Sequence, residues 1–299
     1  MSAVDVEKSN DAGPALDRLA GVMERFHVHA ALFHAGPLCG LHVFEERPGR
    51  AFLHVLRRGA MEMRHQAEGR WITTAITEPS LLLFTRAVHH AFVNPPVDGP
   101  DFTCATLDFD GGPRHPIVQA LPPVLVIPLS AVEGLTPTLD LLFAEAAQVS
   151  CGSVLVANRL FEVLLIKLLR WMLAQPSRAG VPQGLMLGLS DPRLARALVA
   201  LHARPQQAWP LERLAHVAGM SRSAFAAAFK DAVGSTPAAY VLDWRLALAG
   251  ALVREGRPIK QIALDLGFAD APTLSKAFRR RLGVSPRGWV AASTEPTTG

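Results

Sequence analysis

Two segments near the carboxyl end of the chain are similar to each other, and this internal repeat constrains the fold more than any other feature. Residues 211–240 read LERLAHVAGMSRSAFAAAFKDAVGSTPAAY, and residues 259–289 read IKQIALDLGFADAPTLSKAFRRRLGVSPRGW. In each copy an apolar helical pattern stops at a glycine, Gly219 or Gly267, which permits a left-handed turn. A second helix with apolar residues at i and i+4 follows. The repeat therefore predicts two helix-turn-helix units.

One copy alone would be weak evidence, because many helical hairpins share this pattern. Both copies, however, end in Gly-x-(Ser/Thr)-Pro, and their corresponding residues keep a nearly constant separation. From residue 209 onward, twelve Lys and Arg residues accompany seven Asp and Glu residues, whereas the net charge of the whole chain is only +4. A basic end on a near-neutral body favours a polyanionic partner. The alternative is a purely structural helical bundle.

These residues resemble the DNA-binding domain of the AraC/XylS family of transcription regulators. The shared signature is A-x-x-x-G-[FM]-S/A, then L/F-x-x-x-F, then G-x-[ST]-P-x-x-[YW], and it covers about residues 192–290. The resemblance implies two helix-turn-helix units joined by a long helix, here about residues 237–255. It also implies that their second helices enter successive segments of the DNA major groove.

The outward side chains of these recognition helices are the predicted DNA contacts. The resemblance implies base-facing positions at Ser223, Ala226, Ala227, Thr273 and Lys276. The other predicted DNA-binding residues are Arg222, Lys230, Arg279 and Arg280, with Arg281 beside them, and the arginine run suits phosphates. Two of the base-facing positions are alanines. The first unit is therefore expected to read DNA shape or thymine methyl groups, or mainly to position the protein on the backbone.

The front half of the chain has a different sequence pattern. Residues 28–130 carry short apolar runs broken by Gly, Pro and Asn, which is typical of an all-β sandwich or barrel. It resembles the cupin-like sensor domain of many AraC-type regulators. The second cupin motif, G-x5-P-x-G-x2-H-x3-N, matches at His90 and Asn94, whereas its Gly, Pro and Gly positions are replaced. Of the first motif only His54 and Gly59 survive, so the ligands used by metal-dependent cupin enzymes are missing.

Helical periodicity begins near Thr138, and apolar residues between 160 and 172 share one face. That face either packs on the β-rich domain or pairs with a second subunit. We predict the α+β class: an N-terminal cupin-like β-barrel, a helical linker and a C-terminal all-α domain with two helix-turn-helix units. The predicted boundaries are 1–137 for the sensor domain, 138–188 for the linker or dimerisation segment and 189–299 for the DNA-binding domain.

We hypothesise that the β-rich front domain holds a zinc site or a redox-sensitive site. Strands of a barrel bring inward side chains together, and Cys39, His54, His90 and Cys104 would form a Cys2His2 set, as in closed tetrahedral zinc sites. The chain resembles an AraC-type subgroup, including reactive-chlorine sensors, that keeps Cys and His at such positions. Oxidation of zinc-bound thiolates would release the metal. The alternative is that the cysteines only fill space in the core.

These patterns favour a DNA-binding regulator that is not an enzyme. Its expected partners are promoter DNA, RNA polymerase, a small-molecule, metal or oxidant signal, and a second copy in a homodimer. The alternatives are a cupin-type metalloenzyme with helices for oligomerisation, and a DNA-organising or scaffold protein without effector control. Charged residues interrupt the longest apolar run, which argues against a membrane span. Three cysteines are too few for a disulfide framework, so a cytoplasmic location is expected.

Overall fold

The computed structural model describes residues 16–46, 49–148, 150–286 and 288–289. It confirms the α+β class, with β-strands in the front half and helices behind them. The strands of the described part are β1 (Val28–Pro37), β2 (Leu41–Phe44), β3 (Arg50–Arg58), β4 (Met61–Ala67), β5 (Arg70–Ile76), β6 (Ser80–Phe84), β7 (His90–Val93), β8 (Asp101–Phe109) and β9 (Val124–Pro128).

The strands form two antiparallel sheets. One has the order β1-β8-β3-β6-β9 and the other the order β2-β7-β4-β5. In β3, Phe52 and Leu56 point between the sheets, whereas Leu53 and Val55 point to the helices that cover the opposite face. Because both faces of β3 are buried, its sequence lacks the alternation of apolar and polar residues that a half-exposed strand shows.

Helices cover the outer face of the larger sheet and build the rest of the chain. They are α1 (Ala20–Met23), α2 (Pro116–Ala120), α3 (Thr136–Ala147), α4 (Ser153–Ala174), α5 (Leu185–Ser190), α6 (Pro192–Ala203), α7 (Leu211–Ala218), α8 (Arg222–Val233), α9 (Pro237–Arg254), α10 (Ile259–Asp265) and α11 (Ala271–Leu282). Asp191 caps α6, because its carboxylate accepts from the N–H groups of Arg193 and Leu194. Within the described ranges, no helix is both long enough and apolar enough to cross a membrane.

The apolar face of α4 packs on the β-domain, which decides between the two possibilities for this helix. Leu164 and Leu168 have no exposed surface. In addition, the Asn158 amide oxygen accepts from the Leu32 N–H at 2.7 Å, and Glu162 accepts from the Ala30 N–H at 3.3 Å. Strand β1 lies at the edge of its sheet, so these side chains bond edge N–H groups that would otherwise be unpaired.

One apolar core runs from the larger sheet through α4 to the carboxyl-terminal helices. Phe26, just before β1, packs edge-on against Trp244 of α9, with ring centroids 5.4 Å apart. Arg18 and Arg25 donate hydrogen bonds to backbone carbonyls of the α5–α6 region. The helix-turn-helix part is therefore packed against the β-domain.

Candidate nucleic-acid interface and the interior of the β-domain

The first helix-turn-helix unit consists of α7 and α8. Helix α7 ends at Gly219, whose φ of 68° makes the left-handed turn expected from the sequence. The Ser221 hydroxyl then accepts from the Ala224 N–H at 3.3 Å and caps α8. Phe225 and Phe229 are buried, so the opposite face of α8 points to solvent.

The second unit, α10 and α11, is built in the same way. Gly267 has a φ of 73°, and the Asp270 carboxylate caps α11 by accepting from the Thr273 N–H at 2.7 Å. The hydrogen bonds to Thr273 lower the pKa of the Asp270 carboxyl. Leu274 and Phe278 are buried in the core, which turns the opposite face of α11 outward.

Eight of the nine predicted DNA-binding residues are exposed, and the ninth, Ala226, is half-buried. Arg222 is tied to its own unit, because its guanidinium lies 2.9 Å from the Glu212 carboxylate on α7. By contrast, Lys276, Arg279 and Arg280 make no ion pair with any described residue. These exposed cations form a basic face on α11. Contact of this face with DNA stays a prediction.

Arg281 behaves differently from the two arginines before it. Its guanidinium donates two hydrogen bonds of 2.6 Å to the Asp243 carboxylate of α9, and these bonds raise its pKa. The sequence interpretation placed Arg281 with Arg279 and Arg280 at phosphates. In the structure it joins the recognition helix to the connecting helix. Nothing in the RRR run itself distinguishes its third member.

Arg245 of α9 holds the two units together, and sequence reasoning did not identify it. Its Nε donates to the carbonyl of Pro205 at 2.7 Å, and its Nη2 donates to that of Gln207 at 2.8 Å. Its Nη1 donates to the carbonyl of Gly267, the turn glycine of the second unit, at 3.4 Å. One side chain therefore links the loop before α7 to the turn of the second unit.

His54 and His90 meet between the two sheets. Their Nε2 atoms are 3.2 Å apart, and both side chains are fully buried. His90 stacks on Phe84, with ring centroids 3.7 Å apart, and on Phe44 at 4.7 Å. Burial lowers the pKa of His54 well below its ordinary value and that of His90 to about 4. Both imidazoles are therefore neutral at pH 7.

The hydrogen bonds fix which nitrogens carry protons. His90 Nδ1 lies 2.8 Å from the Val88 carbonyl, which can only accept, so Nδ1 carries the proton and Nε2 has a lone pair. His54 must then donate from Nε2 to His90. This leaves His54 Nδ1 as a buried acceptor with no hydrogen-bond partner among the described residues.

The structure does not assemble the four predicted metal ligands. Cys104 lies opposite His54 in the β3–β8 register, and burial raises the pKa of its thiol. Cys39, in contrast, is exposed in the turn before β2, where its Sγ accepts from the Gly99 N–H. Within the described residues, no three His, Cys, Asp or Glu side chains are placed to hold a metal ion. The Cys2His2 set does not fit in this arrangement, and zinc binding stays a prediction.

Comparison with known proteins identifies the family. A cupin model matches residues 17–174, more than half of the chain, and a helix-turn-helix domain model matches residues 214–292. An AraC-like transcription regulator of Streptomyces antibioticus is 37% identical over 173 residues, which cover 57% of this chain and 56% of the relative. The chain belongs to the AraC family. Its cupin-like N-terminal domain and its helix-turn-helix domain confirm the predicted family and fold class.

Other AraC-type proteins are similar over stretches of comparable or shorter length. The regulator AlkR of Acinetobacter baylyi is 33% identical over 177 residues, which cover 58% of this chain and 57% of AlkR. The chain thus spans only 56–60% of the first three curated relatives. A crystallised transcriptional regulator from Chromobacterium violaceum, one of the AraC-type DNA-binding domain-containing proteins, is 30% identical over a match that covers 36% of this chain and 96% of that chain, with a TM-score of 0.34.

Proposed function

We propose that this AraC-family chain is a sequence-specific transcription regulator that places α8 and α11 in two successive major-groove segments of a promoter. The observation that carries the proposal is the pair of similarly built units, each with its buried apolar face inward and its recognition face open to solvent. A helix presented in this way is what the major groove admits. Arg245 joins α9 to the loop before α7 and to the turn of the second unit, and the Arg281–Asp243 ion pair joins α9 to α11.

The two units contact DNA in different ways. Helix α11 supplies Thr273 and Lys276 as base readers and Arg279 and Arg280 as phosphate contacts. Helix α8 offers Ser223 and two alanines, with Arg222 and Lys230 at its ends. Because alanine carries no hydrogen-bonding group, the first unit reads thymine methyl groups or DNA shape, and it positions the protein through phosphates.

The test uses a duplex selected by the full chain from a random library. Lys276→Ala should weaken binding to the selected duplex by about 1–3 kcal/mol, with a much smaller loss on scrambled DNA. Lys167→Ala, which removes a half-buried lysine of α4 outside the two helix-turn-helix units, is the control and should bind as the parent does. An equal loss on both duplexes would reduce Lys276 to a phosphate contact.

Footprinting tests whether α8 and α11 enter two separate segments of the major groove. Two protected major-groove segments, about one helical turn apart, are expected. Ala227→Glu on α8 should remove one segment and Thr273→Glu on α11 the other, because a carboxylate repels the phosphates. Ala174→Glu, an exposed alanine at the end of α4, should leave both segments protected. A single protected segment in the parent protein contradicts the proposal.

The β-domain is the proposed sensor, acting on DNA affinity or on contact with RNA polymerase. The zinc or redox version of this proposal uses Cys39, His54, His90 and Cys104. The contact between the two histidines supports it, and one relative from Escherichia coli, 38% identical over 99 residues, is named an RCS-specific activator. Because Cys39 lies apart from the His54–His90 pair, bound zinc would require the turn before β2 to move.

Metal analysis of protein purified under reducing conditions tests the zinc version. About one zinc per chain is expected, lost when Cys39 and Cys104 are both replaced by alanine and released when two thiols are oxidised. Zinc that survives the double substitution, or a parent protein without zinc, contradicts it. The enzyme alternative receives no support, because the named relatives are regulators and the matched C-terminal model is a helix-turn-helix domain.

A further inference from the structure

The two recognition helices end in the same way, but another segment of the chain covers only the end of the first. At the end of α8 the Gly234 N–H donates to the Lys230 carbonyl at 2.9 Å. At the end of α11 the Gly283 N–H donates to the Arg279 carbonyl at the same distance. A Cβ built on Gly234 would lie 3.0 Å from Oε1 of Gln183, whereas one built on Gly283 would meet no described atom of another segment within 4 Å. Gln183 therefore distinguishes the two ends.

Gln183 covers the end of α8 with hydrogen bonds. Its Nε2 donates to the carbonyls of Asp231 at 2.8 Å and Lys230 at 3.3 Å. The next residue adds a third bond, because the Gly184 N–H donates to the Ala232 carbonyl at 3.0 Å. The last carbonyls of a helix have no partner within the helix, so donors from elsewhere stabilise its final turn. Two consecutive residues thus cap three carbonyls of α8.

The last turn of α11 is held differently. The corresponding carbonyls belong to Arg279, Arg280 and Arg281. Among the described residues, no side chain from outside α11 donates to these carbonyls. Helix α11 is instead joined to α9, through the Arg281 side chain and Asp243. The two units therefore differ in what fixes their recognition helices, although the helices themselves are built alike.

The segment that carries Gln183 follows α4 directly and is compact. We call residues 175–184 the α4–α5 connection. Within it the Ala179 N–H donates to the Gln175 carbonyl, and the Val181 N–H donates to the Pro176 carbonyl, each at 3.0 Å. Because these bonds close turns between α4 and Gln183, the cap is connected to the end of α4 by a hydrogen-bonded segment.

Two glycines allow this segment to lie against α8. Gly184 has a φ of 153° and a ψ of −164°, a conformation that glycine alone adopts without strain. A Cβ there would have room, since its nearest atom of another segment is the Cα of Ala120 at 3.8 Å, so Gly184 is required for its backbone conformation. At Gly188, in α5, space is missing, because a Cβ would lie 2.7 Å from Cγ2 of Val233 at the end of α8.

We propose that Gln183 is a positioning residue for DNA binding by α8, and that the α4–α5 connection ties this helix, but not α11, to α4. Lys230, a predicted DNA contact, lies in the capped turn, and its own carbonyl accepts from Gln183. Without the cap this turn frays, and Lys230 loses its fixed position against the DNA backbone. Because α4 packs on β1 through Asn158 and Glu162, a shift of α4 within the β-domain reaches the cap. The role in DNA binding rests on the proposed function, whereas the cap does not.

Hydrogen exchange of the full chain tests the cap without DNA. Gln183→Met removes the amide donors and keeps the length of the side chain. Amides 230–234 should then exchange about threefold faster or more, whereas amides 279–283 of α11 should exchange as in the parent. Gln183→Lys should restore most of the protection, because an ammonium group can donate to the same carbonyls. Gln66→Met, at an exposed position of β4, is the control and should match the parent.

Two shortened duplexes test the positioning role, one with only the segment bound by α8 and one with only the segment bound by α11. Gln183→Met should weaken binding to the first by about threefold or more and leave binding to the second unchanged, whereas a general loss of stability would weaken both. Gln183→Lys should restore the affinity without a change in its salt dependence. A rescue with a steeper salt dependence comes from a new phosphate contact and contradicts the positioning role.

An insertion tests the tie to α4. Two glycines placed between Gly180 and Val181 break the turn bonded to Pro176, and they should weaken binding to the α8 duplex alone. Circular dichroism and thermal unfolding establish that each variant is folded.

The outcomes separate the cap from the proposed function. Unchanged exchange of amides 230–234 in folded Gln183→Met overturns the cap, and an equal loss on both duplexes overturns the positioning role. Unchanged binding of the insertion variant to the α8 duplex overturns the tie to α4. If exchange responds as expected but the parent binds no selected duplex, the cap stands, and the proposed function is wrong together with the role in DNA binding that rests on it.

Discussion

Buried His115, like His54 and His90, ties the stability of the β-domain to pH. His115 caps α2, because its Nδ1 accepts from the Ile117 N–H at 3.1 Å, whereas its Nε2 donates to the Phe26 carbonyl at 3.2 Å. Only the neutral ring can do both. Burial lowers the pKa of His115 to about 4, although the bond to Phe26 partly opposes the shift. The folded pKa thus lies below the unfolded value, so the unfolded chain binds the proton more strongly and stability falls as the pH drops from about 6.5 to 4.

The contribution of His115 can be isolated by substitution. Between pH 6.5 and 4, His115→Asn should lose about 2–3 kcal/mol less stability than the parent, because its amide can cap α2 without titrating. Urea unfolding at a series of pH values measures this difference. His29→Asn, at an exposed position in β1, should follow the parent curve. Identical pH slopes for the parent and His115→Asn would show that the cap does not depend on protonation.

At the residue scale, the helical period of the sequence predicts which side chains are buried and which are exposed. It does not predict contacts that depend on the angle at which two helices cross. The repeat places Phe225 and Phe278 inward, so the exposure of Ala227 and Lys276 on the opposite faces could be expected. The pairing of Arg281 with Asp243 could not, because it depends on the angle between α9 and α11. The separation of Cys39 from His54 and His90 was missed for a similar reason. Strand parity does not fix a residue that lies in a turn.

At the scale of elements, Arg245 links the two helix-turn-helix units through hydrogen bonds to three backbone carbonyls. Arg245→Met should lower the free energy of unfolding by about 2–4 kcal/mol, because three backbone carbonyls lose a charged donor. Affinity for the selected two-segment duplex should fall, whereas affinity for a duplex shortened to one segment should change little. Urea unfolding and fluorescence anisotropy measure the two effects. Arg257→Met, which removes an exposed ion pair with Asp265, is the control, and an equal loss on both duplexes contradicts a positioning role.

Helix length explains which elements the sequence could predict. The pattern between residues 160 and 172 is long enough to identify α4, which extends from Ser153 to Ala174. The Gly- and Pro-rich stretch 175–188 reads as a linker, yet α5 begins within it at Leu185. A helix of six residues contains less than two turns, too few to show a period. Its stability comes from packing against α6 and α8.

At the scale of the whole molecule, the continuous core joins parts that the sequence interpretation treated as separate domains. The contact between Phe26 and Trp244 spans most of the chain, and no local pattern encodes it.

The same core changes where the contact of a homodimer can lie. The apolar stripe of α4 is used within the chain, so a homodimer needs another surface. The first turns of α4 offer one, with Leu155 70% exposed and Val154 54% exposed. Leu141 of the neighbouring α3 is also exposed.

We predict that this exposed end of α4 forms the homodimer contact. Leu155→Glu should give a folded monomer, because a carboxylate cannot be buried unpaired in an apolar interface. Leu164→Glu, on the buried face of the same helix, should instead unfold the chain, which separates loss of the dimer from loss of the core. Sedimentation velocity and circular dichroism measure the two results. A parent that is monomeric at all concentrations, or a Leu155→Glu protein that stays dimeric, contradicts the prediction. In the second case the two chains meet elsewhere, and the exposed leucine is a surface residue only.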